Sequence, residues 1–144
     1  MSVWMHVAAV FRIDGVRKEY CGGIVNDRPS IDWDKVTGKV IYDGEWTTDD
    51  DYELRRMEDD WAAYEKHPKR FVPTGSEGSL QRLLWINPKC YNAARYTVTV
   101  FGDLRDYEDF DKIKEWFESV CERCYIRQAV CQCDNGYEKQ TWVR

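Results

Sequence analysis

Six cysteines and two histidines are the side chains of this 144-residue chain best suited to hold a metal or act as nucleophiles. Four of the thiols fall within thirteen residues, as Cys121-Glu-Arg-Cys124 and Cys131-Gln-Cys133, which invites comparison with zinc. Tetrahedral zinc needs all four sulfurs within about 2.3 Å of one ion. The first pair closes a helix and the second lies along the strand that follows, so Cys131 falls roughly 20 Å away at about 3.3 Å per residue. One site cannot use both pairs. The Cys121–Cys124 pair also lacks the strand-then-helix-start setting that lowers a thiol pKa, so core or surface thiols are expected. His6 stands in mid-strand and His67 at a helix end, with no Ser or Cys beside either in a recognisable motif, and no nucleophilic site is expected. Gly75-Ser-Glu-Gly-Ser79 has the composition of a phosphate cradle. Neither Gly-Lys-Ser/Thr nor a helix start follows it, which points to a structural loop. Asp32-Trp-Asp34 lacks the glycine and distal glutamate of a calcium loop. Asp49–Asp51 with Asp59–Asp60 fit a solvated helix face whose acidic start opposes the dipole. These residues predict no catalytic set, no metal and no cofactor.

The elements that must carry any site follow from periodicity and punctuation. Val3 to Ile13 reads as a strand, apolar on both faces in the manner of a central one. Residues 14–48 are polar and rich in turn signals, with a small hairpin at Lys35–Tyr42. Thr48 is the candidate N-cap of a helix whose stripe is Leu54, Met57, Trp61 and Tyr64, and which stops at His67-Pro68. Leu80 to Ile86 and Tyr96 to Phe101 alternate as strands. Phe110, Ile113, Phe117, Val120, Cys121 and Cys124 line a second helix. Tyr125 to Cys133 is extended, and Asp134-Asn-Gly-Tyr137 turns it into a last strand ending near Val143. Strand, helix, strand, strand, helix, strand plus a hairpin strand is the split β-α-β order. The expected fold is therefore α+β: a ferredoxin-like sandwich (βαββαβ plus a C-terminal hairpin strand), with an antiparallel sheet and two helices on one face. One domain spans 1–144, with an irregular insertion at about 14–48.

Side-chain parity divides that sheet. The helices are expected to cover Val3, Met5, Val7, Phe11, Leu84, Ile86, Tyr96, Val98, Val100, Ile126 and Val130. Trp4, His6, Val10, Arg12, Leu83, Trp85, Thr97, Thr99, Phe101, Arg127 and Trp142 then share the opposite face. Apolar patches of that size are rarely left in water. Either the 14–48 segment covers the face, or two sheets pack as a homodimer, or the face is a platform where rings stack and arginines pair with acids or phosphates. As a platform its candidate residues are Trp4, His6, Arg12, Trp85, Thr99, Phe101, Arg127 and Trp142.

Composition narrows the function classes. With 43% hydrophobic and 33% charged residues the chain has the makings of a folded core rather than a disordered segment. Aromatic residues make up 15%, including 7 Trp, more than such a core requires. A net charge of −5 repels phosphate backbones, so direct nucleic-acid binding is disfavoured. No secretory signal or membrane-length apolar run is read, so a cytoplasmic chain with reduced thiols is expected.

Val3-Trp-Met-His-Val7, Pro73-Thr-Gly-Ser-Glu-Gly-Ser-Leu80, Tyr96-Thr-Val-Thr-Val-Phe-Gly-Asp-Leu-Arg-Asp-Tyr-Glu-Asp109 and Ile113-Lys-Glu-Trp-Phe117 resemble small uncharacterised proteins of bacteriophages and mobile elements. The resemblance covers both ends and the middle but not 14–70, and it carries over no site residues. It implies the cytoplasm of a bacterial host, and a non-enzymatic antagonist of a defence system, such as a CRISPR effector. The alternatives are a sponge for a small cyclic-nucleotide signal, held by stacked Trp and paired Arg, and a phosphodiesterase acting on such a signal. The partner is accordingly a host protein or a small nucleotide.

Overall fold

A computed structural model describes residues 2–25, 28–41, 51–89 and 92–144. In chain order they form β1 (Trp4–Val16), β2 (Cys21–Val25), β3 (Arg28–Ile31), α1 (Trp33–Thr37), α2 (Asp51–Lys66), β4 (Gln81–Ile86), β5 (Tyr96–Arg105), α3 (Phe110–Glu122), β6 (Cys124–Asp134) and β7 (Lys139–Val143). Five strands build one sheet in the order β4-β5-β1-β6-β7, every neighbour antiparallel. β2 and β3 pair as a separate two-stranded sheet.

This corrects the ferredoxin-like sandwich with two helices on one face. The described residues form a five-stranded and a two-stranded sheet and three helices. The physical reason lies in residues 14–41, within the span of the insertion expected at about 14–48, where strands and a helix form. β1 runs on to Val16, the chain turns through β2 and β3, and α1 then docks on the core. Asp32 caps α1 by accepting from the Lys35 amide. Val36 and Ile41 are buried, and Trp33 meets the Tyr96 ring edge-on at 5.4 Å. The expected hairpin at 35–42 is this helix, followed by Lys39 bridging to Phe71. Gly38 closes the helix at φ 97°, and a Cβ there would sit 2.5 Å from the Phe71 carbonyl carbon, so only glycine lets the two backbones meet.

α3 lies over the sheet. Asp109 caps it through the Lys112 amide, and Phe110, Ile113, Trp116, Phe117, Val120 and Cys121 are its buried stripe. Phe11 of β1 packs edge-on against Trp116 at 5.8 Å and on Phe117 at 5.4 Å. The Trp116 indole nitrogen donates to the Thr37 carbonyl at 2.6 Å, tying α3 to α1. α2 ends before His67-Pro68 and sets Trp61 on Tyr64 and Tyr64 on Phe71. Its expected cap Thr48 and the side chains of Leu54 and Met57 lie outside the described residues.

Parity holds along β1 and β5, where Met5, Val7, Ala9, Phe11, Ile13, Tyr96, Val98, Val100 and Leu104 are buried. It slips on β6. Ile13 pairs with Ile126 but Arg12 pairs with Gln128, so Arg127 is an extra residue and every later side chain changes face. Val130 therefore opposes Val10 on the uncovered face, whereas Ala129, Cys131 and Cys133 are buried. Trp142 pairs with Cys131 and packs on the core, which corrects its expected place on the open side. Leu84 and Ile86, expected under the helices, remain 40% and 51% exposed because β4 is an edge strand.

Candidate functional site

The uncovered face of the five-stranded sheet has a simple row structure. Leu83, Thr99, Val10, Val130 and Val143 form one transverse row, one residue from each strand. Trp85, Thr97, Arg12 and Gln128 form the next row on one side, and Gln81, Phe101, Ala8, Gln132 and Thr141 the next on the other. The edges of the face are open to solvent and its middle is half-buried: Leu83 is 61% exposed, Trp85 54%, Phe101 39% and Val143 76%, whereas Val10, Arg12, Thr97 and Thr99 are partly covered. The 14–41 segment packs its own apolar residues on the helix side instead.

Polar and charged residues sit at the ends of the face and engage one another. At one end His6 Nδ1 lies 2.6 Å from Asp103 Oδ1, and Lys139 lies 3.8 Å from Asp134 in the same row. Trp4 follows, its ring 3.6 Å from where a Gly78 Cβ would be. At the other end Arg127 pairs with Asp14 at 2.8 Å. Arg12, within the apolar area, differs. It is half-buried, its Nε is shielded from water, and its guanidinium has no bond to a described residue.

The structure thus places Trp4, His6, Arg12, Trp85, Thr99 and Phe101 together on one surface and Arg127 at its end, with Trp142 behind the sheet. Val130 and Val143 complete the central row. Sequence reasoning missed them because the signal that places them is the bulge at Arg127.

A second concavity has no sequence signal at all. A cleft of about 780 Å³ is lined by Tyr20, Asp32, Asp34, Lys35, Lys39, Arg70, Phe71 and Arg123 among others. Its acids are engaged: Asp32 caps α1, and Asp34 pairs with Arg82 at 3.0 Å. Arg123 donates to the carbonyls of Val36 and Lys69, and Lys39 pairs with Asp60. The side chains of Lys35 and Arg70 have no ion-pair partner among the described residues.

The remaining chemical candidates are structural. Cys121, Cys124, Cys131 and Cys133 are buried free thiols. Burial pushes Cys121 up to about 11 and Cys124 to about 12. Cys131 is raised further by its hydrogen bond with Cys133 and by burial. Protonated thiols are poor nucleophiles and poor metal ligands, and among the described residues no three His, Cys, Asp or Glu side chains converge on one point. The Gly75–Ser79 loop spends its amides on the sheet: Ser76 N donates to the Arg105 carbonyl, and Arg105 N donates to that of Glu77. No helix among the described residues is long and apolar enough to cross a membrane. No protein-family model matches the chain, and no match to a curated protein or a solved structure is found.

Proposed function

We propose that the chain is a non-enzymatic binding protein whose open sheet face docks onto another protein. The observation that carries this is the layout of the face: a row five strands wide that is apolar at four of them, exposed rings beside it, and ion-paired or hydrogen-bonded polar residues at its ends. Protein interfaces have this anatomy, an apolar centre within a polar rim, and central aromatic residues supply much of their affinity. Arg12 supplies the partner's chemistry, an apolar surface bearing a carboxylate. An unsatisfied shielded nitrogen costs about 1–3 kcal/mol, and a carboxylate on the guanidinium would offset that cost. Binding of a phosphate chain draws on several free cations, which this face lacks among its described residues. The resemblance to phage and mobile-element proteins, rather than the shape of the face, supports a host defence component as the partner. A photo-crosslinking residue at Thr99, mixed with bacterial lysate, is expected to trap a protein that one at Lys114 on α3 does not trap. Equal capture at both positions would contradict the proposal.

One observation favours a second function for a different site. The cleft joins Lys35 and Arg70, which have no ion-pair partner among the described residues, and Arg123, held by backbone carbonyls, to the rings of Tyr20 and Phe71, which suits a small anion with a ring, such as a nucleotide signal. A nucleotide at a hundredfold excess over its Kd would add about 2.7 kcal/mol of stability. Lys35→Glu with Arg70→Glu is expected to abolish that thermal shift. A shift that survives both changes would remove the cleft from consideration.

A further inference from the structure

The two edges of the sheet are unlike. β7 presents Lys139, Gln140 and Thr141, polar residues of the kind that discourage further pairing, before Trp142, which packs on the core, and a single exposed apolar residue, Val143. β4 presents Leu83, Leu84, Trp85 and Ile86, all exposed, so apolar side chains stand on both faces of an edge that no other described strand covers. No proline or bulge interrupts it, and its pairing with β5 is regular from Gln81 to Ile86. Half of its backbone N–H and C=O groups point outward along that edge, because an antiparallel strand bonded on one side alternates inward and outward groups. An edge of this kind is a template for another strand.

We propose that β4 pairs with β4 of a second copy of this chain, antiparallel about a two-fold axis, so that two five-stranded sheets become one of ten strands. Self-pairing restricts the register. Opposed residues must point to the same face, so the axis passes through a residue rather than between two. An axis through Leu84 sets Leu84 against Leu84, Leu83 against Trp85 and Arg82 against Ile86. Every apolar residue of the strand then meets an apolar side chain or the aliphatic stem of Arg82. An axis through Leu83 would instead put Gln81 against Trp85 and Arg82 against Leu84. The Arg82 charge does not oppose the pairing, since Asp34 and the Thr37 hydroxyl hold it at 3.0 and 2.9 Å. With the axis normal to the sheet, the two uncovered faces lie on the same side and become continuous. This pairing uses the edge and not the face, so it stands or falls separately from the proposed docking function.

Cysteine substitution reads the register. Directly opposed Cβ atoms are about 4.5–5.5 Å apart, and diagonal neighbours about 7–8 Å, so only the opposed pair approaches disulfide distance. Leu84→Cys is expected to cross-link into a dimer on mild oxidation, whereas Leu83→Cys alone is not. Mixed Leu83→Cys and Trp85→Cys chains should cross-link to each other. In sedimentation the unmodified chain is expected to show a monomer–dimer equilibrium, and Leu84→Lys to raise its dissociation constant at least tenfold while the circular dichroism spectrum is unchanged. A chain that stays monomeric, or a dimer lost with Phe101→Lys but kept with Leu84→Lys, would overturn the proposal.

Discussion

Val10 and Val130 stand directly opposite each other in the middle of the uncovered face, one on the central strand and one on its neighbour. Across them a transverse row runs from Leu83 at one edge to Val143 at the other, apolar except for Thr99 between Leu83 and Val10. The other side of the same strands is packed by Phe11, Trp116 and Phe117. One sheet therefore serves two purposes. Its covered side holds the fold, and its open side offers side chains whose removal should leave the fold intact.

That division makes a direct stability prediction. Leu83→Ala and Trp85→Ala, at exposed positions, should change the unfolding free energy from urea titration by about 0.5 kcal/mol or less. Phe11→Ala, at a fully buried position, should cost about 3–5 kcal/mol. A Trp85→Ala loss as large as that of Phe11→Ala would show that the ring is core rather than surface.

Gly78 is expected to tolerate no side chain. Its φ is 77°, and a Cβ would lie 2.1 Å from the Asp103 carbonyl oxygen. Gly78→Ala adds left-handed strain and a backbone clash where the loop crosses β5, with a predicted loss above about 2 kcal/mol in chemical denaturation. A change under about 0.5 kcal/mol would mean that the loop is not seated there.

Tyr107 should behave in the opposite sense. Its hydroxyl is buried without a partner among the described residues, and burial raises its pKa. Removing an unsatisfied hydroxyl removes a desolvation cost, so Tyr107→Phe is expected to be neutral or stabilising by up to about 1 kcal/mol. A clear loss of stability would point to a bond that this hydroxyl makes.

The buried thiols set the alkaline limit. Their folded pKa values lie above the ordinary value of 9.0, near 11 for Cys121 and 12 for Cys124. Below pH 9 folded and unfolded chains both keep these protons, and the stabilisation is fully present. Between pH 9 and 12 the unfolded chain releases protons that the folded chain holds, so stability should fall as pH rises through that window. Denaturation at stepped pH checks this, and a flat profile from pH 8 to 11 would contradict it. Below pH 9 the native chain should also react slowly with iodoacetamide at these positions.

Legibility in the sequence followed the range of the interaction. The alternation of β1 and β5 could be read because burial on one face imposes period two along a single segment. The stripe of α3 could be read for the same reason at period 3.6, although Trp116, three residues after Ile113, belonged in it. The bulge at Arg127 could not, since it depends on the registry between β6 and β1, and its single extra residue moved Val130 and Trp142 to opposite faces. α1 spans five residues, too few for periodicity, so neither this helix nor the β2–β3 sheet was legible within the insertion expected at about 14–48. Those elements are why the ferredoxin-like sandwich did not hold. The cleft joins residues from four distant stretches and had no local signature.

The account is tested most directly by the affinity of the protein trapped at Thr99 for the native chain, for Trp85→Ala and for Arg12→Glu. Both variants are expected to bind at least tenfold more weakly, a loss of about 1.4 kcal/mol or more, while unfolding at the same urea concentration as the native chain. Unchanged affinity in both variants would contradict a docking function for the open face.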